Sequence, residues 1–364
     1  MAEIRIDHVW KYYGKTVAVK DLNLVCADGE FLSVLGPSGC GKSSTLRMLA
    51  GLEHISAGDV SFGGKRVNEL PPKDRDIAMV FENYALYPHK TVFNNIANAL
   101  KLRNVDKPTI DKKVRQAAEL LEIGHLLDRR PQELSGGQKQ RVAIGRAIVR
   151  EPQLFLFDEP IAHLDAKLRA HMRGELKHMQ RTLGTSMIYV THDQLEALSM
   201  ADKIAVMHEG VLQQYGTPAE IYDHPVNEWV AGFVGEPPMN FVDCELRGDG
   251  GAVLVTHPSF AVPMTAAQAA GLDGVAGGAA RMGVRPDDVA IAMEASGPHS
   301  FQAKVFVTEP IGGDMLVDTE LADGRRVLVR TKPGFTGKAG ETCWLTFNAN
   351  RWHLFSSADG RAYY

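Results

Sequence analysis

The segment GPSGCGKS, from Gly36 to Ser43, has the residue types and spacing that bind a phosphate chain. The apolar run FLSVL precedes it and the helical pattern SSTLRMLAGL follows it, so the loop joins a strand to a helix. Its glycines let main-chain N–H groups converge on phosphate oxygens, and the helix N-terminus adds partial positive charge. Lys42 then reaches the β- and γ-phosphates, and the Ser43 hydroxyl ligates Mg²⁺. The sequence therefore predicts an ATP and Mg²⁺ site formed by Gly36, Pro37, Ser38, Gly39, Cys40, Gly41, Lys42, Ser43 and Ser44.

Two adjacent acids end the apolar run LFLF at Asp158 and Glu159. A buried strand is expected to exclude charge, so two carboxylates at its C-terminal end indicate a functional site. Asp158 is predicted to lie beside the magnesium ion, with Ser43 as the other metal-side residue. Glu159 is predicted to be the general base that activates the attacking water.

A second candidate anion site is the segment LSGGQ, which contributes Ser135, Gly136, Gly137 and Gln138 before a helical pattern. Serine and two glycines at a helix start can bind an anion through main-chain N–H groups and the helix dipole. Taken alone, the same pattern is equally typical of a helix capped by serine. The presence of a triphosphate site elsewhere in the chain favours the anion-binding interpretation.

The elements that position these residues alternate between strands and helices, which predicts an α/β domain. We expect strands at FLSVLG, LFLFD, MIYVT and KIAVM, an amphipathic helix over 109–122, and an inserted helical lobe at roughly 86–150. Composition changes near residue 235, and short alternating runs such as AKVFV, MLVDTEL and RRVLVR follow. We therefore expect a first domain over 1–235 and a small β-barrel domain over 236–364.

Bulk properties exclude several classes of protein. The 364 residues favour two or three domains, and the formal net charge of −4 gives no reason to expect nucleic acid as a partner. The four scattered cysteines indicate reduced thiols in a cytosol. No apolar stretch approaches the ~20 residues that span a bilayer, so work at a membrane requires partners that supply the spanning helices.

Together these motifs resemble the ATP-binding subunits of ABC transporters, and the resemblance covers residues 1 to about 235. It implies an α/β P-loop NTPase fold with a helical subdomain, and a head-to-tail dimer in which LSGGQ of one subunit closes over the ATP of the other. It further implies that Tyr13 stacks on adenine, that Asp165 lies on the nucleotide side of the dimer interface, and that His192 of YVTHDQ links the γ-phosphate to Glu159.

Further segments, among them LPPKDRDIAMVF and GTPAEIYDHPVNEWVAGFVGEPPMNF, resemble the importer ATPases for sugars, polyols and glycerol phosphates. GVRPDDV, TEPIGGDMLV and NRWHLF resemble that branch's C-terminal OB-like, all-β regulatory domain. The resemblance implies a peripheral subunit on the cytoplasmic face of the inner membrane. Its partners would be two permease subunits, a second ATP-binding subunit and, indirectly, a solute-binding protein outside. A soluble ABC ATPase without a transport role and a mainly regulatory cassette are the alternatives.

The chain departs from the family pattern at two places. Glu82 stands where the family has glutamine, and Ala162-His163 stand in a loop where the family has a serine-containing sequence. An ionised carboxylate accepts hydrogen bonds but donates none, and at this position it would repel the triphosphate. Two explanations stay open: a partner cassette that keeps glutamine and serine, or a homodimer that tolerates both changes with Glu82 as a ligand on the magnesium side.

Overall fold

The computed structural model describes residues 3–249, 252–265, 268–269, 272 and 278–363. These form two compact units, Met1–Glu220 and Ile221–Tyr364. No helix among the described residues is both long and apolar enough to cross a bilayer.

The N-terminal unit contains two sheets and a set of helices. In chain order its elements are β1 (Ile4–Tyr13), β2 (Thr16–Cys26), β3 (Phe31–Leu35), α1 (Lys42–Ala50), β4 (Ala57–Phe62), β5 (Lys65–Arg66), β6 (Ile77–Val80), α2 (Val92–Leu102), α3 (Lys107–Leu120), α4 (Gly136–Ile148), β7 (Leu154–Asp158), α5 (Ala166–Leu183), β8 (Ser186–Thr191), α6 (Gln194–Met200), β9 (Lys203–His208) and β10 (Val211–Gly216).

The larger sheet has the strand order β10-β9-β3-β8-β7-β6, and all its pairings are parallel except that of β9 with β10. Every residue of β3 and β8 is buried, as expected for central parallel strands covered on both faces. The smaller sheet is antiparallel, in the order β2-β1-β4-β5. The α/β prediction and the four predicted strands are confirmed, and α2, α3 and α4 fall inside the span predicted for a helical lobe.

The C-terminal unit is built from antiparallel strands after two short helices. Its elements are α7 (Pro218–Asp223), α8 (Glu228–Phe233), β11 (Asn240–Asp249), β12 (Ala252–His257), β13 (Phe260–Pro263), β14 (Gly278–Val284), β15 (Val289–Ala292), β16 (Phe301–Pro310), β17 (Met315–Glu320), β18 (Arg326–Thr331), β19 (Thr342–Phe347), β20 (Trp352–Ser356) and β21 (Ala362–Tyr363). Two sheets, in the orders β13-β12-β11-β14-β20-β21 and β15-β19-β16-β17-β18, contribute to one apolar core. The all-β prediction for this region is confirmed.

The division between the units lies at Glu220, earlier than the residue 235 that composition indicates. The reason is hydrogen bonding within the C-terminal unit. The buried Arg285 guanidinium donates to the Tyr222 carbonyl at 2.5 Å and to the Val234 carbonyl at 2.7 Å. The Glu228 N–H donates to the Gly360 carbonyl. These bonds attach residues 221–235 to the β-strands, although their composition continues that of the first unit.

Arg75 fixes the C-terminal end of α1, the helix that begins at the end of the predicted phosphate-binding loop from Gly36 to Ser43 (below, the phosphate-type loop). Its buried guanidinium donates to the carbonyls of Met48 (2.6 Å) and Leu49 (2.9 Å) at the end of that helix. It also donates to the carbonyls of Leu70 (2.8 Å) and Asn68 (3.1 Å). A planar guanidinium can satisfy several carbonyls that a helix end would otherwise leave without a donor.

We predict that Arg75→Ala lowers the free energy of unfolding of the N-terminal unit by about 2–4 kcal/mol, because the buried hydrogen bonds to Met48 and Leu49 and the part-buried ones to Leu70 and Asn68 are all lost. Calorimetry, which can resolve the transitions of the two units, measures the change. Arg66→Ala is the control, since that side chain is 53% exposed and solvent screens its ion pair with Asp59. Equal losses in the two variants would contradict this role of Arg75.

Candidate functional site

The predicted functional residues meet because parallel strands end at the same edge of the large sheet. Leu35 of β3 pairs with Thr191 of β8, and Asp158 of β7 pairs with Val190 of β8. The segments that leave these strands therefore lie side by side. The loop before α1, the acid pair after β7 and His192 after β8 come together in this way.

Lys42 is a buried cation with no anionic partner among the residues that the structure describes. Its side chain is 5% exposed, and its ammonium donates to the carbonyls of Gly36 (2.8 Å) and Pro37 (2.9 Å). Among the described residues, no carboxylate lies within ion-pair distance of it. Burying an unpaired ammonium is costly, so this arrangement favours an anion as the missing partner.

The backbone around Lys42 requires glycine. Gly41 has φ +102°, and a Cβ atom there would lie 2.5 Å from the Ala18 carbonyl oxygen. Gly39 has φ +80° and open space around it, so its main chain can approach a ligand. Helix α1 begins at Gly41 without a side-chain cap, which leaves its first N–H groups available to phosphate oxygens.

Ser43 and Asp158 supply the oxygen atoms that a hard cation prefers. The Ser43 hydroxyl donates to Asp158 Oδ1 at 3.2 Å. Burial raises the pKa of Asp158, the hydrogen bond from Ser43 opposes the rise, and the charges of Glu159 and Glu82 add to it. A bound Mg²⁺ would offset this excess of negative charge, so these residues fit the metal that the sequence predicts.

Glu159 and His192 form the contact expected of a base and the residue that orients it. His192 Nδ1 lies 2.8 Å from Glu159 Oε2, and the Glu159 N–H donates to the Val190 carbonyl at 3.0 Å. Glu159 has φ +44°, a left-handed conformation that a non-glycine residue adopts when its surroundings impose it. The two residues are thus placed together, while their catalytic roles stay predictions.

A buried carboxyl group that the sequence motifs did not reveal supports the segment of His192. Glu196 is 2% exposed and accepts hydrogen bonds from Tyr189 (2.9 Å) and Thr191 (2.7 Å). Burial raises the pKa of Glu196, and those two hydrogen bonds oppose the rise. The signal in the sequence was Glu196 of THDQLEA, an acid in the first turn of the helix after the strand, at a position that faces back to the strand end.

Tyr13 lies beside the phosphate-type loop, as its predicted contact with adenine requires. Its ring is 43% exposed, and its hydroxyl lies 3.5 Å from the Ser44 hydroxyl. The Lys11 ammonium lies 4.7 Å from the ring centroid. An exposed ring beside a phosphate site is suited to stacking, and this function of Tyr13 stays a prediction.

Ser135 caps the helix that follows it. Its hydroxyl accepts from the Gln138 N–H (3.4 Å), and the Gln138 side chain accepts from the Ser135 N–H (3.0 Å), a reciprocal capping box. A Cβ on Gly137 would lie 2.7 Å from a methyl group of Leu168, so this glycine also permits close packing on α5. The local structure is thus the capped helix start; binding of an anion by LSGGQ stays a prediction.

Asp165 also caps a helix, because its carboxylate accepts from the Leu168 N–H at 3.0 Å and begins α5. The predicted metal-side residue Glu82 lies instead against His163, with 3.1 Å between Oε1 and Nε2. The structure therefore brings the two departures from the family pattern into direct contact. Neither the dimer-interface role of Asp165 nor metal ligation by Glu82 is tested by these contacts.

Successive parts of the chain match the models of three protein families. Residues 19–162 match the model of the ABC transporter family. Residues 235–289 match the MalK OB fold domain, and residues 282–355 match the TOBE domain.

Curated relatives match over nearly the full length. The chain is 48% identical to a trehalose/maltose import ATP-binding protein of Thermococcus litoralis, covering 100% of both chains. It is 48% identical to an sn-glycerol-3-phosphate import ATP-binding protein of Rhizobium etli, covering 99% of both. It is 46% identical to an oligosaccharides import ATP-binding protein of Bacillus subtilis, covering 98% of both.

Solved structures resemble the N-terminal part. A dimeric ATP-binding cassette bound to ADP and Pi matches with a TM-score of 0.54 at 29% identity, covering 59% of this chain and 98% of that one. The cbiO1 protein of Clostridium perfringens, part of an ABC transporter complex, matches with a TM-score of 0.56 at 29% identity, covering 60% and 89%. With a cassette followed by OB-fold and TOBE domains, this chain belongs to the import ATP-binding proteins of the ABC transporter family and is an ATPase of that family.

Proposed function

We propose that this chain energises the import of a sugar, polyol or glycerol phosphate, as one of two ATP-binding subunits on the cytoplasmic face of two membrane-spanning permeases. A solute-binding protein outside the membrane would deliver the solute to the permeases. The names of the relatives support the solute class. The observation that carries the ATPase part is the buried Lys42 ammonium, which pairs with no carboxylate in the described part of the chain, at the sheet edge where Glu159 contacts His192.

The residues of this chain have distinct tasks in the proposed hydrolysis. Lys42 neutralises the terminal phosphates, and the main-chain N–H groups of its loop orient them. Ser43 and Asp158 would hold Mg²⁺, which would supply charge neutralisation when bound. Glu159 accepts the proton of the attacking water, while His192 keeps its carboxylate aimed at that water.

In the proposed dimer, the Ser135 helix of one subunit completes the site of the other. The helix start offers main-chain N–H groups and a positive dipole end to the terminal phosphate. Closure would therefore depend on ATP, and hydrolysis followed by release of phosphate would reopen the dimer. The dimeric cassette among the solved relatives supports this arrangement.

A groove beside the Glu82 loop supports the proposed contact with permeases. It has a volume of about 220 Å³ and lies between the segment after β6 and the helices α2 and α4. Aromatic and basic side chains line it, among them Phe81, Tyr84, Tyr87, Arg146 and Arg150. An exposed aromatic groove between the nucleotide edge and the helical region could bind a permease segment and respond to closure.

We predict that Lys42→Ala lowers ATP turnover at least ~10²-fold, because the site loses the cation that stabilises the phosphate charge. Release of phosphate from the purified chain measures this. Lys65→Ala is the control, since Lys65 lies on an exposed short strand. A Lys42→Ala variant with more than about a tenth of the original rate would count against the assigned site.

We predict that Glu159→Gln retains ATP binding but lowers hydrolysis by ~10²–10⁴-fold, because the amide cannot accept the proton. Size exclusion in the presence of Mg-ATP should show an accumulated dimer. Normal turnover in this variant would remove Glu159 from the catalytic role.

Mixed dimers distinguish a site completed by the partner from one completed within a chain. If Ser135 serves the opposite subunit, Lys42→Ala and Ser135→Ala on one chain damage both sites of a mixed dimer with an unaltered chain. The same lesions split between the two chains leave one site intact. Differently tagged chains, purified as mixed dimers and scored for trapped nucleotide, should give none in the first case and one per dimer in the second. The reverse result would show that each chain completes its own site.

A further inference from the structure

Glu82 and His163, the two residues that replace the family's usual side chains, contact each other. Glu82 follows β6 and His163 follows β7, and these strands are parallel neighbours, with Val80 paired to Phe157. Both segments therefore leave the sheet at the same edge. Glu82 Oε1 lies 3.1 Å from His163 Nε2, within ion-pair distance.

The pair lies in a crowded acidic region. Glu82 is on the same edge as Asp158 and Glu159, and its charge acts on Asp158. A glutamine in its place would be neutral, whereas the carboxylate adds negative charge where a triphosphate is expected. A proton on His163 Nε2, in either the charged or the neutral form of the ring, faces this carboxylate and reduces its field.

The segment after Glu82 is attached on its other side to α4. Arg146 donates to the Ala85 carbonyl, and its guanidinium carbon lies 5.1 Å from the centroid of the Tyr87 ring. The segment after β6 therefore has contacts on two sides: Arg146 of α4 binds it on one side, and His163, which follows β7, contacts Glu82 on the other. A change at His163 can alter both the charge and the position of Glu82.

We propose that His163 is a positioning residue that holds the Glu82 carboxylate and reduces its field, so that the two exchanged residues act as one compensated pair beside the triphosphate. This inference rests on the proposed function, because the compensation matters only where a phosphate chain binds. Because both residues belong to the same chain, the compensation does not depend on the partner subunit. Two identical subunits would then each carry their own compensation, with no need for a partner that keeps glutamine.

The test compares His163→Asn in two backgrounds, the original chain and the Glu82→Gln variant. The probe is methylanthraniloyl-ATP, titrated by fluorescence into the full-length protein with EDTA and without Mg²⁺, so that no cation masks the carboxylate. In the original chain, we expect His163→Asn to raise the dissociation constant roughly two- to fivefold, since both side chains are about half exposed, 52% and 62%. In the Glu82→Gln background, the same change should have an effect below about 1.5-fold, because no carboxylate is left to neutralise.

His125→Asn is the matched control, because His125 is an exposed histidine on the 3₁₀ turn Gly124–Leu126. His163→Ala provides a second variant with the same expectation, and thermal unfolding checks that each variant is folded. An equal effect of His163→Asn in the two backgrounds, or no effect in either, would overturn the pair. Absence of binding by the unaltered chain, both in EDTA and with Mg²⁺ restored, would instead overturn the proposed function, so the two failures are distinguishable.

Discussion

The buried Lys42 ammonium is the constraint on which the rest of this structure depends. A desolvated cation is costly unless anions or dipoles surround it, and here the carbonyls of Gly36 and Pro37 accept its hydrogen bonds. Strand β3 delivers the loop to the sheet edge, and α1 carries the lysine in its first turn. Arg75 fixes the far end of the same helix. The parts of the fold nearest the site therefore serve to keep one positive charge buried and ready for phosphate.

The catalytic edge follows from the parallel sheet. Strand β8 lies between β3 and β7, and the three strands end at the same edge of the sheet, so Asp158 contacts Ser43 of the loop and Glu159 contacts His192 at that edge. The buried Glu196 accepts hydrogen bonds from Tyr189 and Thr191 and so fixes the end of the strand that precedes His192. Positioning by such buried, fully bonded groups is how a site for phosphoryl transfer achieves its rate, since the reaction needs orientation and charge more than covalent chemistry.

Local patterns in the sequence predicted the strands, the phosphate-type loop and the acid pair, because each depends on neighbouring residues and on one buried strand. The contact of Glu82 with His163 could not be predicted in this way, since it depends on which strands are neighbours in the sheet. In the sequence, Glu82 and His163 are two separate departures from the family pattern, whereas in the structure their side chains contact each other. Glu196 was missed for the same reason. The compact units divide at Glu220, where composition gives no signal because it does not show which residues Arg285 binds, and the domain boundary at 235 stays a prediction.

The central claim is that the Lys42 site binds ATP in the N-terminal unit, and calorimetry of the full-length chain tests it most directly. A ligand at about 100 times its dissociation constant stabilises the state that binds it by about 2.7 kcal/mol. The account predicts that Mg-ATP raises the unfolding temperature of the N-terminal transition in the original chain, leaves the C-terminal transition unchanged, and has no comparable effect in Lys42→Ala. Equal stabilisation of the Lys42→Ala chain, or stabilisation confined to the C-terminal transition, would contradict the account.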